Sequence, residues 1–302
     1  MDAEQAHARS VSARASRSER ADYHQDVEAE RPIGMFDSGV GGLTVLHECL
    51  VTMPHEDFLY AGDTAHFPYG GRSPAELRAF SREIAGWLVG EGVKLVVVAC
   101  NSATATALGD LQRTLDVPVI GVLTPEARAA VQLTRNRRVG LLATEATVTS
   151  GRYRELVHGL DAGIELVEVA CPGLADAIQR GETYDETMVD RVREHCAPLR
   201  EAGVDTVILG CTHYPLIRGM LQRELGRDVA LVAAAEELAE EVAATLARKR
   251  LARDHGRRGS YRFACTADAE AFASVGRRFL QLPISSVRTL GATELAGLAL
   301  AT

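Results

Sequence analysis

Gly92-Val-Lys-Leu-Val-Val-Val-Ala-Cys100-Asn101-Ser102 and Gly203-Val-Asp-Thr-Val-Ile-Leu-Gly-Cys211-Thr212-His213 are the two stretches that decide the architecture. They align without a gap. In each, Gly-Val opens a short apolar run, and a cysteine follows eight residues after the glycine. Short β-branched runs bounded by turn formers read as strands buried on both faces. A second pair, Arg31-Pro-Ile-Gly-Met-Phe and Arg137-Arg-Val-Gly-Leu-Leu, repeats at a separation of 106 residues, against 111 for the first. Two matches at nearly one offset point to a single internal duplication.

Working outward, strands are predicted at Ile33–Phe36, Phe58–Ala61, Leu95–Ala99, Val119–Val122, Val139–Leu142, Glu165–Val169 and Val207–Leu209, with an edge strand at Tyr261–Ala264. Helical patterns lie between them, so the rhythm is that of βαβ units. Ser73, Pro74 and Glu76 form a capping box that starts one helix, whose Leu77, Phe80, Ile84 and Leu88 recur at core-facing spacing. From about Ala233 the chain reads as helix-rich, with Glu236 to Glu241 on a solvated face. The fold class is α/β: two similar doubly wound, mostly parallel sheets related by a pseudo-two-fold, with the active site in the cleft between them. The expected division is a disordered leader over 1–31, a discontinuous first domain of 32–124 plus 230–302, and a second domain over 125–229. Each half offers the carboxyl ends of its strands to the shared crevice, where ligands of open sheets bind.

Composition narrows the function. The chain has 302 residues, of which 46% are hydrophobic and 25% charged, an ordinary balance for a protein with a sizeable core. A formal net charge of −8 argues against nucleic acid as a partner. Apolar runs such as Leu95 to Cys100 and Val229 to Ala235 are far short of a membrane span. Six cysteines in a chain of this length are too sparse for a disulfide scaffold, which suits a reducing cytoplasm. The first thirty residues carry too many acids for a transit peptide and no signal-peptide core.

The repeated cysteines are the first candidates for chemistry. A thiol between a strand end and a helix start meets unpaired backbone N–H groups, a setting expected to lower its pKa. Cys49, Cys171, Cys196 and Cys265 lack that setting and are read as structural. Asn101-Ser102 and Thr212-His213 are expected to begin helices, capping them and offering donors to a small carboxylate. His213, two residues from a thiol, can also tune a proton transfer. The turn Phe36-Asp37-Ser38-Gly39-Val40-Gly41-Gly42-Leu43 looks like a phosphate loop but has Thr44 where the dinucleotide fingerprint needs glycine. Asp37, expected at its lip, would repel phosphate and suits an ammonium group or a nearby proton donor. The turn at Phe67-Pro68-Tyr69-Gly70-Gly71-Arg72 reads alone as a surface loop. Cys100, Cys211 and His213 have no paired spacing typical of zinc, so no metal is expected.

Four motifs in order carry a resemblance: Gly34-Met-Phe-Asp-Ser-Gly-Val-Gly-Gly-Leu, Ala61-Gly-Asp-Thr-Ala-His-Phe-Pro-Tyr-Gly, Ala99-Cys-Asn-Ser-Ala and Gly210-Cys-Thr-His-Tyr-Pro. Together they resemble the aspartate/glutamate racemase family from about Pro32 to the C-terminus, and the Cys-Thr-His form resembles its glutamate branch. The resemblance implies a cofactor-independent isomerase that moves a proton at the α-carbon of glutamate, with Cys100 and Cys211 as the acid/base pair on opposite faces. It implies ligand contacts from Asp37, Ser38, Tyr69, Gly70, Asn101, Ser102, Thr212 and His213, and weaker ones from Thr144 and Thr147. It further implies a cytoplasmic enzyme supplying D-glutamate for peptidoglycan, compatible with a homodimer. Two positions depart from the family pattern. Ser102 stands for the usual threonine and keeps the hydroxyl. Gln179 stands where many members carry a glutamate proposed to aid proton transfer. The rival readings are a racemase of another acid such as aspartate, an amino-acid sensor without catalysis, and a thiol-redox or zinc protein.

Overall fold

The computed structural model describes residues 27–182, 185–253 and 256–296. Strands and helices alternate along the chain. The first half runs β1 (Ile33–Asp37), α1 (Leu43–Thr52), β2 (Phe58–Gly62), α2 (Pro74–Gly90), β3 (Leu95–Val98), α3 (Asn101–Thr114) and β4 (Val119–Gly121). Helix α4 (Leu123–Leu133) leads into the second half. There β5 (Arg138–Ala143), α5 (Glu145–Thr149), α6 (Arg152–Leu160), β6 (Glu165–Ala170), α7 (Leu174–Arg180), α8 (Glu186–Glu201) and β7 (Thr206–Gly210) follow. A 3-10 turn at Tyr214–Ile217, α9 (Arg218–Leu225) and β8 (Ala230–Val232) complete it. The chain closes with α10 (Ala234–Lys249), β9 (Tyr261–Cys265), α11 (Ala269–Leu280), β10 (Val287–Thr289) and α12 (Ala292–Ala296).

Two parallel sheets result, ordered β10-β9-β2-β1-β3-β4 and β6-β5-β7-β8. The order β2-β1-β3-β4 in the first is the order β6-β5-β7-β8 in the second, so the duplication read from two short stretches extends to the whole topology. The matched glycines agree as well. Gly92 has φ +81 and Gly203 φ +63, a left-handed conformation that lets each chain leave a helix and enter β3 or β7.

Side chains of a strand alternate between faces. Ile33, Met35, Leu95, Val97, Phe58 and Tyr60 therefore join one core, which continues through Val139, Leu141 and Val207 of the second sheet. Phe36, Val96, Val98, Leu59 and Ala61 join the other, beneath α2. Burial on both faces is what a doubly wound parallel sheet requires. The start of α2 is as predicted: the Ser73 side chain accepts from Glu76 N, the Glu76 side chain accepts from Ser73 N, and Pro74 takes the first turn. Such a cap contributes about 1 kcal/mol.

The seven main strand predictions agree with the structure to within one residue at each end. Three details differ. Tyr261–Cys265 lies inside the first sheet, because the unforeseen β10 takes the edge beyond it. Strand β8, on the first-domain side of the division expected at residue 230, pairs with β7 in the second sheet. The leader lies outside the described residues up to 26, but its last residues pack on the body. Lys94 Nζ donates to Ala29 O at 2.6 Å, and Arg253 pairs with Glu30. Among the described residues, no helix is long and apolar enough to cross a membrane.

Candidate active site

The carboxyl ends of β1, β3, β5, β6 and β7 converge on one cleft. Its walls include Ser38 from the first turn, Tyr69 and Gly70 from the loop before α2, and Cys100, Asn101 and Ser102 after β3. The second half contributes Thr144 after β5, Cys171 after β6, and Cys211, Thr212 and His213 after β7. Thus the repeated cysteines, 111 positions apart, face one space from opposite halves of the chain.

Hydrogen bonds across the halves hold the cleft together. Ala146 N donates to Gly70 O at 2.9 Å. The Ser102 hydroxyl lies 2.8 Å from that of Thr144 and 3.3 Å from that of Thr147, with 3.0 Å between the two threonines. Thr147 stands behind this cluster and does not line the cleft. The Gly-rich turn after β1 also serves contact between halves. A Cβ on Gly41 would collide with Thr212 Oγ1 and approach His213 Nδ1 to 2.5 Å, so only glycine lets this turn reach the second half.

The surroundings of the first thiol are acidic. Cys100 is the N-cap of α3, and its sulfur accepts from Ala103 N at 3.5 Å. Asp37 lies within hydrogen-bonding reach of it. Contrary to expectation, Asp37 is not at the lip of the turn: it is fully buried and does not line the cleft. The turn folds back so that Gly42 N donates to Asp37 Oδ2 at 2.9 Å, while Oδ1 has no partner. Burial raises the Asp37 carboxyl above its usual range, opposed by these hydrogen bonds.

The second thiol faces a base. Cys211 Sγ is 3.8 Å from His213 Nδ1. On the far side of the ring, Gln179 Oε1 accepts from Nε2–H at 3.0 Å, which leaves Nδ1 free to accept. Phe67 and Phe279 flank the imidazole, and burial pushes its pKa down to about 3. Thr212 and His213 do not begin an α-helix as predicted. They precede the 3-10 turn at Tyr214–Ile217, where Pro215 has no N–H to give.

Both thiols depart from the expected lowering of pKa. Burial, and then the Asp37 charge, push Cys100 up to about 12, although Ala103 N and Ser38 pull the other way. Burial likewise drives Cys211 upward. A helix N-terminus offsets only part of the cost of removing a thiolate from water. Cys171, read as structural from sequence, lines the cleft; its position just past β6, beside Pro172 and Gly173, was the available signal. Asp63, inside the second quoted motif, holds Tyr69 by accepting from its hydroxyl at 2.5 Å. Among the described residues, no three His, Cys, Asp or Glu side chains gather in a way that could hold a metal ion.

The chain is similar in sequence and fold to known proteins. The Asp/Glu/hydantoin racemase family model matches residues 45–242. A glutamate racemase of Parafrankia sp. is 49% identical over 85% of this chain and 93% of its own length. That of Geobacter metallireducens is 44% identical over 83% and 93%. Among solved structures, the glutamate racemase RacE1 of Bacillus anthracis has a TM-score of 0.83 at 37% identity, covering 87% of this chain and 98% of its own. The Francisella tularensis glutamate racemase in complex with D-glutamate has a TM-score of 0.82 at 31% identity, with the same coverage. With two matched sheets, a thiol from each half in the shared cleft and relatives of this closeness, the chain belongs to the Asp/Glu/hydantoin racemase family.

Proposed function

We propose that this enzyme interconverts L- and D-glutamate, with one cysteine removing the α-proton as a thiolate and the other delivering a proton from its thiol to the opposite face. The observation that carries the reading is the pair of equivalent thiols facing one cleft, Cys100 beside Asp37 and Cys211 beside His213. Taking the proton makes one sulfur a thiol. Giving a proton makes the other a thiolate, so the enzyme ends poised for the reverse reaction. Exchange through Asp37, His213 and water then restores the starting form.

Each flanking group supports a defined step. His213 Nδ1 accepts the Cys211 proton when that sulfur must become a thiolate, and Asp37 does the same for Cys100. The Ser102, Thr144 and Thr212 hydroxyls are donors for the substrate carboxylates, with Ser38, Tyr69 and Gly70 closing the wall. Even the thiolate of a cysteine held at about 12 is a weak base toward a carbon acid. The barrier therefore falls chiefly through donors already aimed at developing charge in a site largely cleared of water. The same proposal assigns the enzyme to the cytoplasm as a source of D-glutamate for peptidoglycan.

The test is loss of optical rotation from L-glutamate and from L-aspartate by the purified protein, without added pyridoxal phosphate. Racemisation of glutamate well ahead of aspartate supports the proposal. Equal or faster turnover of aspartate overturns it.

A further inference from the structure

Glu126 belongs to no motif found in the sequence and takes no part in the proton transfer described above. Among the described residues, it and Asp37 are the two carboxylic acids with no exposed surface. Its Oε2 accepts from Asn101 Nδ2 at 2.9 Å and from the Tyr153 hydroxyl. The Tyr153 oxygen also accepts from Asn101 Nδ2 at 2.9 Å, so the two oxygens, themselves hydrogen-bonded, lie together on one side of the amide nitrogen. The three residues come from separate parts of the chain. Asn101 follows Cys100 in α3, Glu126 lies on the connecting helix α4, and Tyr153 lies on α6 of the second half.

Counting donors gives the consequence. A carboxamide has two N–H donors and one carbonyl acceptor. The amide nitrogen of Asn101 is held from behind by both oxygens, its Oδ1 is buried without a protein partner, and the residue lines the cleft. Turning the amide over would set Oδ1 against Glu126 Oε2, acceptor against acceptor, and would strand a buried N–H. We infer that Glu126 is a positioning residue: it locks the Asn101 amide with Oδ1 toward the ligand, so that this wall accepts a hydrogen bond from the substrate's α-ammonium group. The inference rests on reading the cleft as a site for glutamate. Burial pushes the Glu126 carboxyl up to about 8. The neutral acid performs the same task, since its proton can sit on Oε1, which has no partner. Glutamine is therefore the conservative replacement.

The experiment compares the wild type with Glu126→Leu and Glu126→Gln, using both enantiomers of glutamate as substrates and glutarate, which lacks the amino group, as inhibitor. Glu126→Leu is expected to raise KM for both enantiomers by about tenfold, the cost of one hydrogen bond to a charged group, with kcat changing less. The inhibition constant of glutarate is expected to stay within about twofold, and Glu126→Gln to recover most of the lost KM. Because enantiomers have equal free energy, kcat/KM must fall by one factor in both directions, an internal check on the data. KM and the glutarate constant rising together, or a lowered melting temperature with both constants unmoved, overturns the inference. Should Glu126→Leu not fold, Tyr153→Phe, which removes the second acceptor, faces the same criteria with a smaller rise. A wild type that does not racemise glutamate at all is a distinct result, and it strikes the underlying reading instead.

Discussion

Cys100 and Cys211 hold matching places in the duplicated strand order, yet their surroundings have diverged. Cys100 caps an α-helix and faces the buried carboxyl of Asp37. Cys211 sits in a turn ahead of a short 3-10 segment and faces the imidazole of His213. Duplication fixes where the sulfurs stand, because β3 and β7 occupy equivalent places in their sheets. It does not fix how each sulfur loses its proton. One sulfur has the single buried carboxyl of Asp37 beside it, the other a ring braced by Gln179. Under the proposed mechanism, two mirror-image substrates would be served by a site that is itself asymmetric.

Removing a sulfur tests the shared part of the comparison and has the largest effect. Cys100→Ala and Cys211→Ala are each expected to lower kcat by about 10²–10⁴-fold, for both enantiomers, in a rotation assay. Near wild-type turnover in either variant breaks the equivalence of the halves.

Removing a partner tests the divergent part. Asp37→Asn and His213→Asn are each expected to lower activity by about 10–10²-fold. The primary isotope effect on kcat/KM with α-deuterated glutamate should grow for one enantiomer in the first variant and for the other enantiomer in the second. Growth for the same enantiomer in both would mean that the two groups serve one sulfur.

The pH profile comes next. Burial holds both thiols above the usual range, Cys100 at about 12, so the thiolate is a small fraction of the free enzyme at neutral pH. Where the Cys211 proton passes within the site to His213, whose pKa is about 3, no proton is exchanged with solvent, and kcat/KM for the enantiomer served by Cys211 is expected to stay level within about threefold between pH 6 and 8. A rise of about tenfold per unit would mean that the thiolate forms by losing its proton to solvent, and would count against His213 as the acceptor. The smallest effect of a substitution is expected from Gln179→Glu. A carboxylate 3.0 Å from Nε2 favours the imidazolium, so the His213 pKa should climb from about 3, as followed by NMR titration of the ring. The turnover should change by less than about tenfold, on the side served by Cys211.

How much of this the sequence carries depends on the distance over which each signal acts. Seven strands are legible because β-branched residues recur between turn formers, and the cysteines because they end two copies of one stretch. The three-residue strands β8 and β10 carry too little pattern, and Val287–Thr289 is partly exposed besides. Asp37 is legible as a carboxylate of the first turn, but its depth is not, since that depends on Gly42 folding back on it. Gln179 meets His213 across 34 positions, and Glu126 and Tyr153 reach Asn101 across 25 and 52. No local periodicity encodes such meetings. Cys171 carries no such signal, because nothing in the chain duplicates it. The thiol pKa values run against the sequence expectation for another reason: a helix start is visible in sequence, whereas the degree of burial that outweighs it is not.

The most direct test is the fate of the α-proton when L-glutamate is turned over briefly in deuterated water. If a sulfur stands on each face, the D-glutamate formed carries deuterium at its α-carbon while the remaining L-glutamate keeps protium. D-glutamate that retains the original proton, or label appearing equally in both enantiomers from the start, would mean that one group works both faces and would contradict the account.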